Sequence, residues 1–154
     1  NVLEELYKII VLKNYSSIFI TNIVYVNKND IVVRKWKSEL PNFKKLEMGW
    51  MAPHTGLVMT RDIINKVGAY DINYKISADY GFELKLFKSY LKEVSILNLT
   101  LIKMKTGGIS NKNINSLILK TIEDIKIMKE NNINPLRGIF YKNFSKLNQL
   151  FWNS

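Results

Sequence analysis

Residues 50–87 read WMAPHTGLVMTRDIINKVGAYDINYKISADYGFELKLF, and this stretch decides how the chain is interpreted. Within it, a short apolar run at Leu57–Met59 predicts a strand, and Arg61–Val67 has helical spacing. Thr60 is a candidate N-cap for that helix, and Gly68 is suited to ending it. The stretch therefore begins as a strand, a turn and a helix.

A second helix is predicted to begin immediately after Ser77, a candidate N-cap residue, because apolar residues recur there at helical spacing and form one face. The members of that face are Tyr80, Leu84 and Phe87, with Phe82 and Leu86 beside them. Val94–Met104 (VSILNLTLIKM) is apolar and β-branched, which predicts a strand, and the dipeptide Gly107-Gly108 ends it. This alternation of helix and strand indicates an α/β fold.

The segments ahead of this stretch extend the same pattern. Helical spacing at 2–12 predicts a helix already under way at the start of the chain. The runs Ser17–Val26 and Ile31–Trp36 predict two strands, which the turn residues 27–30 join into a hairpin. Pro41–Gly49 shows neither the helical nor the strand spacing of apolar residues and is predicted to be irregular.

The segments that follow are helical. A long amphipathic helix is predicted at 114–128, and Asn131–Pro135 is a linker. The tail behind it has an apolar side consisting of Leu136, Ile139, Phe140, Phe144, Leu147, Leu150 and Phe151, with Arg137, Lys142 and Lys146 elsewhere. We therefore divide the chain into residues 1–130 and a linker with an amphipathic helix at 131–154.

Length and composition indicate one globular domain. The chain has 154 residues, of which 47% are hydrophobic, and it contains no cysteine. Disulfides, thiolate catalysis and cysteine-based zinc sites are thereby excluded. No apolar run approaches the ~20 residues that a membrane-spanning helix needs. We find no secretory signal in the first residues, so we expect a cytoplasmic protein.

The formal charge of +10 raises the question of an anionic partner. The excess consists of 20 Lys and 3 Arg, scattered along the chain. Arginine, the residue best suited to bidentate phosphate contacts, is scarce, so we do not expect nucleic acid binding. A solvated surface and contact with an anionic membrane both remain open. The candidate segment for membrane contact is 136–152, because it is basic and amphipathic; the alternative is that this segment packs on its own domain or on a missing half.

Three sites carry side chains or backbone that could do chemistry. Asp79 lies at the start of the second helix, where a carboxylate also interacts favourably with the helix dipole. His54 is the only histidine. Gly107, Gly108 and Ser110 form a turn whose backbone N–H groups could meet an anion, although such turns are often simple bends.

The segments APHTG, VGAYD, SADYGF and GGIS, in this order, resemble the C-terminal half of a family 2 glycosyltransferase. This resemblance covers roughly residues 1–130 and implies an incomplete GT-A fold, which is Rossmann-like. It implies an inverting enzyme that transfers a sugar from a nucleotide diphosphate-sugar to a glycan or lipid-linked acceptor in surface polysaccharide synthesis. Such an enzyme would work in the cytoplasm, at the inner face of the membrane.

The resemblance also assigns roles to the candidate residues. Asp79 corresponds to the general base, which removes the proton from the acceptor hydroxyl. His54 corresponds to a residue near the acceptor or the leaving diphosphate, but Thr55 stands where the family often has Gln. The turn of Gly107, Gly108 and Ser110 corresponds to a loop that closes over the diphosphate. Gly68 and Asp71 correspond to a structural turn.

The family's donor-binding half has no counterpart in this sequence. That half carries a DxD motif whose two carboxylates hold Mg²⁺ or Mn²⁺ on the diphosphate. Asn29-Asp30 lies in the predicted hairpin turn and Glu123-Asp124 on a predicted helix, so neither pair replaces the motif. We therefore expect the metal ligands outside this chain and no catalysis by this chain alone. The alternative is a binding or scaffold module that has the fold without the chemistry.

Overall fold

A mixed β-sheet with helices on both faces forms the described part of the chain. The structure, a computed structural model, describes residues 2–13, 16–106 and 114–151. Their helices are α1 (Val2–Lys13), α2 (Phe43–Glu47), α3 (Arg61–Val67), α4 (Ala78–Tyr90), α5 (Ile114–Glu130) and α6 (Pro135–Phe151). Their strands are β1 (Ile18–Val26), β2 (Val32–Trp36), β3 (Leu57–Met59) and β4 (Val94–Lys105). The α/β class predicted from the sequence is confirmed.

Strand β1 lies at the centre of the sheet. Along one edge it pairs antiparallel with β3 and then with β2, and along the other edge it pairs parallel with β4. The hairpin β1–β2 turns at residues 27–31, where the Asn27 side chain accepts hydrogen bonds from the backbone N–H groups of Asn29 and Ile31. The predicted hairpin and the predicted strand at 94–104 are therefore both confirmed.

Both faces of β1 are buried. Ile18 and Ile20 point into the main core beneath α3, α4 and α5, whereas Phe19 packs with Leu6 of α1 and Leu97 of β4 on the opposite face. A strand that is covered on both faces needs apolar side chains in both directions. This explains why 17–26 reads as an almost continuous apolar run.

Helices α4 and α5 provide most of the remaining core. The predicted apolar face of α4 is buried, since Tyr80, Leu84 and Phe87 are each at most 1% exposed. Ile127 and Met128 of α5 lie in the same core. Burial of this face therefore positions the first turn of α4, where Asp79 lies.

Helix α6 packs on α5 and against β2, and a pair of glycines permits its close approach. A Cβ added at Gly49 would lie 2.8 Å from the carbonyl oxygen of Gly138, and one added at Gly138 would lie 2.6 Å from the sulfur of Met128. Gly49 also has a positive φ of 75°, which favours glycine. The chain segment after α2 and the first turns of α6 therefore meet backbone to backbone.

One local expectation is wrong, and one burial was not predicted. Pro41–Gly49 is not irregular but contains α2, which Asn42 caps by accepting a hydrogen bond from the Lys45 backbone N–H at 2.8 Å. Lys142 lies off the apolar side of the tail helix, as predicted, but its burial, with 5% of the residue exposed, was not predicted. The missed helix is short, and the missed burial depends on a partner carboxylate on α5.

The helices were also compared with the length and apolarity that a membrane-spanning segment needs. Within the described ranges, no helix is both long enough and apolar enough to span a bilayer.

Candidate functional site

The structure brings together two of the residues singled out in the sequence, His54 and Asp79. The imidazole Nδ1 of His54 lies 3.4 Å from the carboxylate Oδ2 of Asp79. The side chains are 38% and 27% exposed, respectively, so a ligand in solvent can reach both. The other carboxylate oxygen, Oδ1, accepts a hydrogen bond of 2.8 Å from the Tyr80 backbone N–H. One oxygen is therefore held by the helix, and the other faces the imidazole.

A tight turn against the sheet positions His54. Residues His54–Gly56 form one turn of 3-10 helix immediately before β3, behind the buried Pro53. The carbonyl oxygen of Gly56 accepts a hydrogen bond of 2.9 Å from the hydroxyl of Thr21 on β1. A Cβ at Gly56 would lie 2.6 Å from the Thr21 carbonyl oxygen, so no larger residue fits without displacing the turn. The glycine in APHTG is thus required by the close approach to β1.

The carboxylate of Glu123 on α5 holds the chain that leads into α4. It accepts hydrogen bonds from the backbone N–H groups of Lys75 (2.8 Å), Ile76 (2.9 Å) and Ser77 (2.8 Å). Ser77 does occupy the position before the helix, but its hydroxyl donates to the Lys120 carbonyl oxygen and does not cap α4, contrary to the sequence prediction. The start of α4, and with it Asp79, is therefore fixed by a residue remote in sequence.

Glu83 is a second acid of the site, and sequence reasoning did not single it out. Its side chain is buried, one helical turn beyond Asp79, and its Oε2 accepts a hydrogen bond of 2.7 Å from the Ala52 backbone N–H. It thus ties the helix that carries Asp79 to the segment that leads to His54. Burial raises the pKa of Glu83 well above its ordinary value, the Ala52 hydrogen bond opposes this, and the charge of Asp79 adds to the increase. The one feature of the sequence that could have indicated this buried acid is its position between apolar residues in FELKLF.

Behind the site, one buried carboxylate is shared by two lysines. Asp124 Oδ2 lies 2.5 Å from Lys120 Nζ and 2.9 Å from Lys142 Nζ. Burial alone would raise the pKa of Asp124, but the charges and hydrogen bonds of Lys142 and Lys120 outweigh it and lower this pKa. Burial also lowers the pKa of Lys142 to about 8. Lys142 Nζ lies 3.4 Å from the centre of the Tyr80 ring, so this cluster fastens α6 to the helix that carries Asp79.

Tyr70, in the VGAYD segment, lies beside the site. Its ring stacks on Phe82 with a centroid distance of 4.6 Å, yet the residue is 49% exposed. Burial raises the pKa of the Tyr70 hydroxyl, and the charges of Glu83 and Asp79 raise it further. A half-exposed aromatic ring next to a carboxylate offers a flat apolar surface to a ligand.

The structural role expected for the neighbouring residues Gly68 and Asp71 is confirmed. Gly68 ends α3 with a φ of 88°, and the Asp71 carboxylate accepts a hydrogen bond from the backbone N–H of Asn73. These two local features shape the first part of the connection between α3 and α4.

Gly107, Gly108 and Ser110 lie outside the described residues. The end of β4 does reach the neighbourhood of His54, because the Thr55 hydroxyl contacts the sulfur of Met104 at 3.4 Å. The interpretation of this turn as a diphosphate loop stays a prediction.

The described residues do not fit a metal ion. Among them, no group of three or more His, Asp or Glu side chains is arranged to hold one. The two acids of α5 are engaged elsewhere, Glu123 by backbone N–H groups and Asp124 by lysines. The described part of the chain therefore provides no ligand set for Mg²⁺ or Mn²⁺.

The geometry of His54 and Asp79 is suited to moving one proton. A carboxylate with one oxygen restrained by a backbone N–H presents its other oxygen in a defined direction, which a general base requires. An imidazole at 3.4 Å can stabilise the carboxylate or contact a ligand that approaches it. The pair therefore supports the removal of a proton from a hydroxyl group placed beside it.

Comparisons of the chain with protein-family models, with curated proteins and with solved structures find no match.

Proposed function

We propose that this chain is the acceptor-side part of an inverting glycosyltransferase with a GT-A fold. The observation that carries the proposal is the approach of His54 Nδ1 to Asp79 Oδ2 at 3.4 Å, at the partly exposed start of α4. The resemblance of residues 50–110 to family 2 glycosyltransferases supplies the reaction. The donor is a nucleotide diphosphate-sugar, and the acceptor is a glycan or a lipid-linked saccharide.

In this proposal, Asp79 is the base. Its Oδ2 takes the proton of the acceptor hydroxyl as the hydroxyl oxygen forms a bond to the anomeric carbon of the sugar. The bond between that carbon and the diphosphate oxygen breaks, and the diphosphate leaves with the electron pair. His54 lies beside Oδ2 and contacts the acceptor, while Glu83 acts as a positioning residue because it holds the segment before His54 through Ala52.

Turnover by matched variants tests this role. The protein, expressed with all residues its gene encodes, is incubated with labelled nucleotide-sugars and membrane extracts that contain acceptors. Asp79→Asn should lower turnover by about 10²–10⁴-fold, the usual contribution of a general base. The control is Asp62→Asn on α3, an acid that is 69% exposed and pairs only with Lys66 among the described residues. Turnover of Asp79→Asn within twofold of the control would remove Asp79 from the mechanism.

The alternative is a binding or scaffold module without catalysis. It is favoured by the half-exposed Tyr70 ring, since an aromatic surface beside a carboxylate can hold a sugar ring without any reaction. The sequence encoded upstream of Asn1 discriminates between the two: a strand-rich segment that ends in DxD favours the enzyme. Acceptor binding that is unchanged by Asp79→Asn, with no sugar transfer by the wild type, would favour the module.

We further propose that α6 contacts an anionic membrane surface. Several apolar side chains of α5 and α6 are exposed, among them Ile118, Ile122, Leu136, Phe140 and Phe144. Leu136 and Phe140 are 85% and 68% exposed, and the Phe140 and Phe144 rings stack at 6.0 Å. Such a face on a basic protein suits the interfacial region of a bilayer. Co-sedimentation with phosphatidylglycerol vesicles should be lost in Phe140→Asp but retained in Lys129→Ala, and equal binding by both variants would refute the proposal.

A further inference from the structure

A large cavity among the described residues is lined by neither His54 nor Asp79. Its volume is about 980 Å³, and it lies between β2, α2, the middle of β1 and helix α6. Its size matches a pocket for one small organic ligand, because such pockets measure roughly 300–1,000 Å³. The cavity is therefore a candidate binding site in its own right, separate from the proposed catalytic pair.

The lining of this cavity is strongly cationic. Six lysine or arginine residues contribute to the lining and only one acidic residue, Glu39; the basic residues are Arg34, Lys35, Lys37, Lys44, Lys45 and Lys142. Lys45 pairs with Glu39 at 2.6 Å and Lys142 pairs with Asp124 at 2.9 Å, so the excess positive charge of the lining comes from the other four basic residues. A concave site with walls of one charge sign concentrates ions of the opposite sign. The ligand class that fits this lining is anionic.

Aromatic rings line the same cavity and orient several of its cations. Trp36, Trp50 and Tyr141 contribute to the wall. The Arg34 guanidinium lies 5.3 Å from the centre of the Trp36 ring, and the Lys45 ammonium lies 5.8 Å from the Trp50 ring. Cation–ring contacts at this distance stabilise the positive groups in place. A ligand thus meets a charged region beside flat apolar surface.

The inner wall of the cavity is built from buried contacts. Lys142 lines the cavity although it is 5% exposed, and Asp124 anchors its Nζ at 2.9 Å. On the sheet side, register shifts flank Asn22, whose Oδ1 accepts hydrogen bonds from the Ser38 backbone N–H at 2.7 Å and from the Ser38 hydroxyl at 2.8 Å. Asn22 thereby ties the chain that follows β2 to the centre of the sheet. These contacts therefore hold the inner wall of the cavity in place before a ligand binds.

We propose that this cavity binds a phosphorylated organic ligand, with its phosphate groups on Lys37, just after β2, and on the lysines of α2, and with its body against Trp36 and Trp50. Lysine binds phosphate as a point charge, which suits the lysine-rich lining. The volume of the cavity suits one small phosphate ester, whereas a nucleic acid strand needs an extended groove. The phosphate can belong to a soluble metabolite or to a lipid headgroup, because the chemistry at the site is the same. The inference stands independently of the glycosyltransferase proposal, since it uses neither His54 nor Asp79.

Binding measurements with two charge-matched double variants test the inference. Lys37→Gln with Lys44→Gln removes two exposed cations of the cavity, whereas Lys92→Gln with Lys129→Gln removes two exposed cations elsewhere. The probes are pyrophosphate, uridine diphosphate, and vesicles of phosphatidylcholine with and without phosphatidylglycerol. Calorimetry measures the soluble probes, and co-sedimentation measures the vesicles.

We expect saturable binding of one probe class, weakened at least about tenfold in the cavity variant and less than about twofold in the control. Dependence of pyrophosphate or uridine diphosphate binding on the cavity lysines identifies a soluble ligand. The same dependence seen only with phosphatidylglycerol vesicles identifies a lipid headgroup. Equal weakening in both double variants, no binding of any probe, or tighter binding of a single-stranded oligonucleotide would overturn the proposal.

Discussion

Replacing Glu123 with alanine should be among the most destabilising changes in the chain. Its carboxylate accepts three backbone hydrogen bonds, from Lys75, Ile76 and Ser77, and it is 7% exposed. The Glu123→Ala variant leaves these three N–H groups without the acceptor that they have in the native protein. Since they immediately precede α4, the loss also loosens the helix start that carries Asp79.

The magnitude follows from the environment of the three bonds. The bond to Ser77 is buried, so its N–H has no replacement by water and the loss costs about 2 kcal/mol. The bonds to Lys75 and Ile76 are partly buried, where water replaces some of the interaction, and each costs roughly 0.5–1 kcal/mol. The sum of about 3–4 kcal/mol is a large part of the ~5–15 kcal/mol by which a domain is stable.

The pH dependence supplies a second readout of the same residue. Burial alone would raise the pKa of Glu123, but the hydrogen bonds from Lys75, Ile76 and Ser77 outweigh it and leave the pKa below its ordinary value of 4.5. A carboxyl with a lowered pKa in the folded state stabilises the protein fully above pH 4.5 and loses that contribution as the pH falls through the folded value. Glu123→Gln should therefore unfold with a weaker dependence on acid than the wild type.

Urea unfolding, followed by circular dichroism at neutral pH and through the acid range, measures both effects. Amide hydrogen exchange at Ile76 and Ser77 reports whether the start of α4 opens. The control is Glu4→Ala on α1, an acid that is 65% exposed and should change stability by less than about 0.5 kcal/mol. A Glu123→Ala variant within about 1 kcal/mol of the wild type would refute the reasoning.

Three further predictions concern the residues around the site. Burial raises the pKa of Glu83, so its contribution to stability should fall as the pH rises above 4.5, and Glu83→Gln should remove that slope in urea titrations at several pH values. Gly49→Ala should cost at least about 2 kcal/mol, because its φ is 75° and its Cβ would lie 2.8 Å from the Gly138 oxygen; thermal unfolding near the wild-type temperature would contradict this. Lys142→Met should cost about 2–4 kcal/mol because it leaves the buried Asp124 with one lysine partner, and Lys142→Met with Asp124→Leu should recover part of the loss.

Much of the secondary structure followed from local pattern. The hairpin, strand β4 and the start of α4 were predicted because apolar periodicity and turn residues act over a few positions. The cap of α3 was also predicted correctly, since the Thr60 side chain accepts a hydrogen bond from the Ile63 backbone N–H. The short helix α2 was missed because its five residues give too little periodicity to detect.

The candidate site was only partly predictable. Asp79 and His54 were identified as residue types in a suggestive order, but their separation of 3.4 Å depends on how α4 packs beside the turn before β3. Glu83 was missed because an acid in an apolar run carries no sign of its partner, the Ala52 backbone N–H, which lies 31 residues away. The role assigned to Ser77 was wrong for the same reason, because Glu123 on α5 had already taken the neighbouring N–H groups.

The α/β class, most element boundaries and the residues at which chemistry is expected could be predicted from the amino-acid pattern. Those properties depend on side-chain period, backbone preference and residue chemistry, which are local. The burial of Lys142 against Asp124, the close approach of α6 at two glycines and the gathering of basic residues around one cavity are visible only in the folded chain. These properties depend on contacts between residues far apart in sequence, and burial changes the energy of a charge only once its neighbours are in place.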